Sequence, residues 1–532
     1  MSTFPQTWIS TTSHWQGTNR GPTSLWLHNS KAELPSSADV VIVGAGMAGS
    51  ALSYFLTRPG AYGEGKKVVC VEAKDVASGA SGRNGGHVGP KTYFKWDLLQ
   101  QPYPLGNGCS KDESTRVMQN ERDNLDLVEQ IVNKEKLDVD FWKGELIETH
   151  HSKEQTELSK KQYAAWLEAR AAIGITQPHD TKFIDDPTEA EKLSRFKDVT
   201  SIHVRPGGSV HSHKLATALM RLAIESTASD FGFYSWTPVS GFPTETADGR
   251  WTLSTSKGGI TAKEIIFCTN AHTANFFPKD DPLHTHIQPF RGQCALITPP
   301  KTYSGAQALK HTYNMKDEAY LVTTPMGGIV LGGGLSALIR EGKCKPEDSF
   351  GQIDDSGESV DPNITEYLNR YMPENFVDWG PEGYGEGLTR TWTGILSTVK
   401  DWLPLVGQVP GKKGVSLVAG FAGHGMSRIF AVARGCADTM KTGVWDETLL
   451  PRSFELTAER LQRTLDAQAE FEAKYGPDAK VVHGEIVPGS GSKVAAPKIN
   501  GDKVSGHAPA KANGHGLVHS LGEKVEAVTI QA

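Results

Sequence analysis

One short segment near the start of the chain restricts the fold more than any other. Residues Asp39 to Gly49 read DVVIVGAGMAG, a β-branched run followed by glycines in the spacing G-x-G-x-x-G. Gly44 permits a tight turn after a strand, and Gly46 lets the backbone approach a pyrophosphate closely. Gly49 lets the next helix, which we expect to begin near Met47, pack against the strand. The segment therefore predicts the strand, turn and helix of a dinucleotide-binding fold.

The residues that follow supply the context that this motif requires. A second apolar run, Lys67 to Val71, leads into Glu72, 23 residues after the third glycine (72 − 49), where about 20 is usual. Glu72, with Ala73 beside it, is predicted to contact a ribose hydroxyl and to disfavour NADP. The backbone N–H groups near Met47 and Ala48 would point at the phosphates. An ordinary glycine turn in an α/β sheet is the alternative, and this order of elements disfavours it.

Composition argues against several other classes of protein. The 532 residues carry a formal charge of −6 with no concentrated basic run, which argues against nucleic acid as a partner. The six cysteines are scattered without a C-x-x-C pair, which favours reduced thiols, and we predict no metal site. We find neither a signal-peptide pattern nor an apolar stretch long enough to span a membrane, so we expect a cytoplasmic protein without a membrane partner.

The two ends of the chain differ from its middle. Residues 1–36, which we call the N-terminal arm, are polar but contain Trp8, Trp15 and Trp26. Three tryptophans rarely stay in water, so we expect the arm to lie on a folded surface. Residues 476–532 are rich in Gly, Pro, Lys, Ala and Ser and lack periodicity, which predicts a low-complexity tail.

Five separated segments are more informative together than any one alone. They are the glycine turn with Glu72, SGASGRNGG at 78–86, GGSV at 207–210, Arg291-Gly292-Gln293, and residues 401–425, which end in GFAGHG. In this order they resemble the FAD-dependent oxidoreductases of the D-amino acid oxidase, glycine oxidase and sarcosine oxidase superfamily. SGRNGG and the form Trp392-Thr393-Gly394-Ile395 are most similar to the gamma-glutamylputrescine oxidase branch.

This resemblance implies an α/β fold in two domains. An FAD-binding Rossmann domain of the glutathione reductase type would carry an inserted domain whose antiparallel sheet covers the substrate. We expect the FAD-binding domain at 37–100, 201–289 and 386–450, and the substrate domain at 101–200 and 290–385. A C-terminal helix is expected at 451–475.

The resemblance also implies cofactor-binding residues in loops beyond the glycine turn. The loop at 78–86 would lie beside the pyrophosphate and flavin, and Val210 would approach the adenine through its backbone. A helix N-terminus after GFAGHG would stabilise negative charge at the pyrimidine edge of the flavin. Thr269 follows an apolar run, where the edge of a sheet would face a ligand. The predicted cofactor-binding residues of these loops are Ser81, Arg83, Asn84, Gly85, Val210, Thr269, Gly423, His424, Gly425 and Met426.

Two loop residues allow alternative interpretations. Arg83 would hold phosphate or flavin oxygens bidentately, or it would be a solvent-facing loop arginine. His87 lies in the region where some relatives tether FAD through a histidine, and both a covalent and a non-covalent flavin remain open.

The catalytic residues are not identified by pattern, and our candidates are His424, Trp392 and Arg291. Relatives commonly carry a carboxylate-binding arginine shortly after the W-x-G segment, where this chain has Leu396. The difference favours an amine over a small amino acid, although Arg390 or Arg340 would be able to substitute.

We therefore predict an FAD enzyme that oxidises the C–N bond of an amine or amino-acid-like metabolite by hydride transfer to flavin. Dioxygen or another acceptor would reoxidise the flavin. The alternatives are an NAD-dependent dehydrogenase and a non-catalytic flavin- or nucleotide-binding partner protein. A neutral bound amine needs no general base, so the lack of a catalytic triad pattern does not exclude this chemistry.

Overall fold

The computed structural model describes residues 10–476, 480–482 and 485–487. The α-helices in this part of the chain are α1 (His14–Gly17), α2 (Met47–Leu56), α3 (Lys111–Lys134), α4 (Lys153–Ala172), α5 (Pro187–Ser194), α6 (Ser212–Ile224), α7 (Pro282–His286), α8 (Leu335–Arg340), α9 (Pro362–Asn375), α10 (Ile429–Thr442) and α11 (Ala458–Tyr475). The strands are β1 (Ser37–Val43), β2 (Lys67–Val71), β3 (His87–Val88), β4 (Trp142–His150), β5 (Lys182–Ile184), β6 (Ser201–Ser209), β7 (Asp230–Tyr234), β8 (Thr244–Glu245), β9 (Trp251–Thr255), β10 (Gly258–Phe267), β11 (Ile287–Thr298), β12 (Thr312–Asn314), β13 (Tyr320–Thr323), β14 (Ile329–Gly332), β15 (Gly387–Val399), β16 (Leu405–Gln408), β17 (Val415–Ala419), β18 (Lys480–Val482) and β19 (Glu485–Val487).

The first sheet is built around the glycine-turn strand. Its strand order is β16-β17-β10-β1-β2-β7, and the pairs from β17 to β7 are parallel. Val40 and Ile42 pack in one core cluster with α2, α6 and α10, while Val41 and Val43 pack in a second cluster on the other face. A parallel sheet covered on both faces requires strands that are apolar throughout, which explains the β-branched run.

The second sheet has the order β15-β11-β14-β13-β12-β4-β6-β3, with β5 beside β6. All of its pairs are antiparallel except the parallel pair of β4 and β12. The two sheets together confirm the predicted α/β fold with an antiparallel second sheet.

Four elements lie elsewhere than the expected segment boundaries suggest. Strands β3, β6 and β15 fall within 37–100, 201–289 and 386–450, yet they pair within the second sheet. Helix α3 falls within 101–200, yet Leu125 and Val128 belong to the core cluster of α2 and α10. Partners distant in the sequence decide these placements, so local pattern did not reveal them.

The two ends of the chain are described in part. Trp15 of the N-terminal arm is buried, as expected for an arm on a folded surface, whereas Trp26 is 45% exposed. The predicted tail lies outside the described residues apart from Gly476 and the antiparallel pair β18 and β19. Among the described residues, no helix has the length and apolar character to cross a membrane.

Candidate active site

The glycine turn joins β1 to α2 in the geometry of a dinucleotide site. Gly44 has φ +101°, and a Cβ on Gly49 would lie only 1.9 Å from Gly44 O. The backbone N–H of Met47, the first residue of α2, donates to Ser81 Oγ at 2.7 Å. The close approach of turn, helix and strand leaves no room for side chains, and this fits the pyrophosphate of FAD.

Glu72 directly follows β2 and lies next to this turn. Its Oε2 accepts a hydrogen bond from Ala45 N–H at 2.7 Å, and its Oε1 accepts one from Lys74 N–H at 2.9 Å. Burial raises the pKa of Glu72, although both backbone bonds oppose the change. Oε1 also accepts from Ser78 Oγ at 3.5 Å, whereas Oε2 has the one bond from Ala45. The predicted ribose contact of Glu72 and Ala73 stays a prediction.

Residues 78–86, which we call the SGRNGG loop, bring Ser81 to the α2 N-terminus. Asn84 Oδ1 accepts from Gly86 N–H at 2.8 Å, and Asn84 Nδ2 donates to Ser81 O at 3.0 Å. A Cβ on Gly85 would lie 2.4 Å from Cε2 of Tyr320, a residue of the second sheet that our sequence analysis missed. The loop therefore lies between the two sheets.

Arg83 does not extend free into the site. Its guanidinium donates to Ser78 O at 2.9 Å and to Thr393 O and Thr11 Oγ1, both at 2.8 Å. It also bonds Thr11 O and lies 3.6 Å from a carboxylate oxygen of Asp355. Burial lowers the pKa of Arg83 against the effect of Asp355. These contacts show a cation that holds protein segments together, so its predicted contact with phosphate or flavin stays a prediction.

Strand β15 brings the two flavin loops of the sequence analysis to one place. A Cβ on Gly394 would lie 3.0 Å from Arg83 Cβ in the SGRNGG loop. A Cβ on Gly423 would lie 3.7 Å from Leu396 Cδ2 and 3.5 Å from Phe290 Cζ. Residues two apart on a strand are about 7 Å apart and share a face. The SGRNGG loop and the GFAGHG turn, residues 420–425, are therefore neighbours beneath the second sheet.

Polar side chains from distant elements hold the GFAGHG turn. Asn270 Oδ1 accepts from Gly420 N–H at 3.2 Å and from Phe421 N–H at 3.3 Å. Thr269, just before it, follows β10, and its Cγ2 would lie 3.3 Å from a Cβ on Gly44. Thr269 therefore lies at the glycine turn, and its predicted contact with the cofactor stays a prediction.

The helix after the GFAGHG turn begins later than expected. Gly425–Ser427 form a 3₁₀ turn, and α10 starts at Ile429, three residues after the predicted Met426. Asn124 of α3 caps this end, because its Oδ1 accepts from Phe430 N–H at 2.8 Å and its Nδ2 donates to Met426 O at 3.0 Å. A side chain some 300 residues away in the sequence thus sets the start of α10.

Glu121 of α3 lies fully buried beside His424. Its Oε1 accepts from Arg428 Nε at 3.0 Å and Nη2 at 2.8 Å, and its Oε2 accepts from Lys91 N–H at 2.7 Å. Nε2 of His424 is 3.1 Å from that Oε2. Burial raises the pKa of Glu121, but His424 and Arg428 outweigh it and hold that pKa well below its usual range. Burial lowers the pKa of His424 to about 4, so the imidazole is neutral near pH 7 and Arg428 supplies the compensating charge.

His87 lies on β3, which pairs with β6 in the second sheet. Its Nε2 is buried without a hydrogen-bond partner in the described part of the chain, and burial lowers its pKa to about 3. Whether His87 tethers the flavin stays a prediction.

Three further sequence candidates have contacts within the protein. Arg291 is on the face of β11 opposite Phe290, and its Nη2 donates to Asp348 O at 2.8 Å. Trp392 is fully buried, and its Nε1 donates to Arg83 O at 2.7 Å, so it supports the SGRNGG loop. The N–H of Val210 donates to Gly86 O at 2.9 Å because Val210 follows β6. The catalytic roles of Arg291 and Trp392 and the adenine contact of Val210 stay predictions.

Two residues at the start of segment 401–425 also have defined contacts. Trp402 is 44% exposed, with Nε1 donating to Pro104 O at 3.1 Å. Asp401 forms a buried ion pair with Arg460 of α11 at 2.7 Å.

Glu121 and Asn124 were missed, although the sequence carries a signal for both. Val117, Glu121, Asn124, Val128 and Ile131 recur at helical spacing, so the two polar residues share the apolar face of α3. Polar residues at such positions require buried partners. Among the described residues, no group of three or more His, Cys, Asp or Glu side chains is placed to hold a metal ion.

Comparisons with known proteins agree with this geometry. The family model described as FAD dependent oxidoreductase (DAO) matches residues 39–439. Glycine oxidase of Geobacillus kaustophilus is 22% identical over 390 residues, covering 73% of this chain and 89% of that protein. The probable oxidoreductase OrdL of Rhizobium meliloti is 23% identical over 392 residues, 73% of this chain and 79% of that protein.

Solved structures show the same fold. Glycine oxidase from Geobacillus kaustophilus aligns with a TM-score of 0.61 at 19% identity, over 80% of this chain and 99% of that chain. L-proline dehydrogenase from P. horikoshii aligns with a TM-score of 0.59 at 20% identity, over 80% of this chain and 100% of that chain. The family match covers 401 of 532 residues (439 − 39 + 1) and decides against the nicotinamide and non-catalytic alternatives. The chain belongs to the DAO family of FAD-dependent oxidoreductases, and its cofactor is FAD.

Proposed function

We propose that the protein oxidises a C–N bond of an amine or amino-acid-like metabolite to an imine, with dioxygen as the electron acceptor. The observation that carries the proposal is the placement of Gly394 against Arg83 and of Leu396 against Gly423. A strand of the second sheet thereby covers both loops that the resemblance assigns to the flavin. FAD bound there would take up a hydride from the carbon that carries the nitrogen.

The residues beside the GFAGHG turn are apolar. Leu396 Cδ1 lies 3.0 Å from where a Cβ on Gly292 would be, and Phe290 lies over Gly423. Such side chains exclude water and favour a neutral amine over an ammonium ion. A leucine cannot pair with a carboxylate, which supports an amine as the substrate.

The two arginines that we considered as replacements are engaged elsewhere. Arg390 Nη1 donates to Ser13 O in the N-terminal arm at 3.3 Å. The half-exposed side chain of Arg340 pairs with Asp317. Both contacts support a substrate that needs no carboxylate clamp.

The purified protein provides a direct test. We expect a yellow protein whose colour bleaches on anaerobic mixing with amines and returns when dioxygen is admitted. A colourless protein, or a coloured one inert to every amine and matched amino acid tried, would contradict the proposal. Colour that stays with the denatured chain would support a tether through His87. A cytoplasmic location belongs to this proposal and is tested by cell fractionation.

Leu396 offers a sharper test of the substrate class. We expect Leu396→Arg to raise kcat/KM for an amino acid relative to its matched decarboxylated amine by about tenfold or more, because it adds a carboxylate partner. Leu396→Met is the control, since it conserves volume without adding charge. An unchanged preference in Leu396→Arg would place Leu396 outside the substrate pocket.

A further inference from the structure

The N-terminal arm lies outside the family match, which begins at residue 39, yet it is bonded to the SGRNGG loop. Ser13 Oγ donates to Gly82 O at 2.5 Å, and Trp15 Nε1 donates to Asn84 O at 2.6 Å. Gln16 Nε2 donates to Ser78 O at 3.2 Å. Three side chains within residues 13–16 of the arm thus reach one short loop of the candidate cofactor site.

Residues of the SGRNGG loop and of the second sheet also hold the arm in place. The Arg83 guanidinium bonds both the carbonyl and the hydroxyl of Thr11. Trp15 is 2% exposed and packs with Trp392 and Val322 of the second sheet. A Cβ on Gly86 would lie 2.7 Å from the Trp15 ring, so the indole also presses on the end of the loop. The arm therefore bridges the SGRNGG loop and the second sheet.

Three consecutive carbonyl groups of the loop are each held by a side-chain donor. Gly82 O is bonded by Ser13, Arg83 O by Trp392 at 2.7 Å, and Asn84 O by Trp15. In a planar trans peptide the N–H of the next residue points opposite to the carbonyl. The two indoles therefore turn the N–H groups of Asn84 and Gly85 to the other side of the loop.

We propose that Trp15 is a positioning residue and that the arm holds the SGRNGG loop in the conformation that binds FAD. The loop contains four glycines and two serines in nine residues, a composition that is highly flexible when unrestrained. Ordering such a loop on binding would weaken the affinity for FAD. The arm orders the loop during folding instead, so the bound conformation exists before FAD arrives.

The test uses the full-length protein and the variant Trp15→Phe, which keeps an aromatic ring but removes the N–H donor together with the five-membered part of the indole. The control is Trp26→Phe in the same arm, where the ring is 45% exposed and stacks with Arg20 at 4.1 Å. Two readouts are measured: amide hydrogen exchange of residues 78–86 in the FAD-free protein, and FAD binding to that protein.

We expect Trp15→Phe to speed exchange in residues 78–86 and to weaken FAD binding, each by about tenfold or more, with Trp26→Phe unchanged. If flavin proves covalent, the fraction of chains that incorporate it is the binding readout. Exchange and binding within twofold of the wild type would overturn the proposal, whatever the substrate of the enzyme. If Trp15→Phe fails to fold, Ser13→Ala removes the bond to Gly82 O alone, and the same two readouts decide.

Discussion

Two buried clusters of this protein contain the same three groups, a carboxylate, an arginine and a histidine, in different settings. In the first, Arg460 Nε donates to Asp401 Oδ2 at 2.7 Å and Nη2 donates to Oδ1 at 2.9 Å, with His286 at 3.4 Å. The remaining donors of Arg460 bond the carbonyls of Pro404, Leu403 and Glu455. All five donors of this arginine are therefore used.

In the second cluster, Nε and Nη2 of Arg428 both donate to the same oxygen of Glu121. His424 Nε2 is buried 3.1 Å from the other oxygen but lacks hydrogen-bond geometry. Burial lowers the pKa of Lys91, beside Glu121, to about 8. A fully bonded cluster stabilises a fold, whereas an incompletely bonded one beside a cofactor loop marks a functional site. We therefore assign the first cluster to holding α11 in the fold and the second cluster to the flavin site.

The largest effect is expected in the first cluster. Arg460→Met leaves the Asp401 carboxylate buried without its partner, which costs about 3–5 kcal/mol of the free energy of unfolding. The urea midpoint measures the loss. Arg452→Met is the matched control, since Arg452 is half-exposed and pairs with exposed acids, and it should change stability by less than about 0.5 kcal/mol. Equal losses in the two variants would contradict the structural role of the first cluster.

Glu121→Gln is expected to lower stability less, by about 2–3 kcal/mol, because the amide oxygen still accepts from Arg428 or Lys91 N–H. It should also weaken FAD binding by about tenfold or more, since Glu121 holds the residues that follow the GFAGHG turn. Titration of the FAD-free protein measures this change. Asp401→Asn is the control at a temperature where both variants are folded. Weaker FAD binding in Asp401→Asn alone would reverse our assignment of the clusters.

Local signals were sufficient for the nucleotide half of the site. The β-branched run, the glycine spacing and Glu72 predicted β1, α2 and β2, because each of these elements is determined by residues that are close in the sequence. These elements are apolar and bounded by glycines, so a single segment carries the information.

The rest of the site depends on pairs that no local pattern reveals. The protein partners of Arg83, Thr11 and Thr393, lie 72 and 310 residues away in the sequence. The N–H of Val210 bonds Gly86 O because β6 pairs in the second sheet. The ligand contacts predicted for both residues stay predictions. Tertiary contacts decide which groups a side chain meets, and one sequence does not state them.

The pH dependence of the free energy of unfolding tests the second cluster through Lys91. Burial lowers the pKa of Lys91 to about 8, so between about pH 8 and 10.4 the unfolded chain binds more protons than the folded one. Stability from this group therefore rises with pH across that window. We expect Lys91→Met to be more stable than the wild type at pH 7, by about 1–2 kcal/mol, with the gain shrinking by about pH 9.5. Urea midpoints at both pH values measure it. The control is Lys95→Met, at an exposed lysine nearby, and a gain independent of pH would contradict the assignment.

The smallest effect is expected for His286. Both oxygens of Asp401 are already bonded by Arg460, and the contact of His286 at 3.4 Å is long for a hydrogen bond. His286→Gln should therefore cost only about 1 kcal/mol and leave FAD binding unchanged, because the ion pair stays intact. The matched variant His424→Gln should disturb FAD binding instead, since His424 lies in the GFAGHG turn. If His286→Gln lowered the free energy of unfolding as much as Arg460→Met, the histidine would be as important to the first cluster as the arginine. The distinction between a fully bonded and an incompletely bonded cluster would then fail.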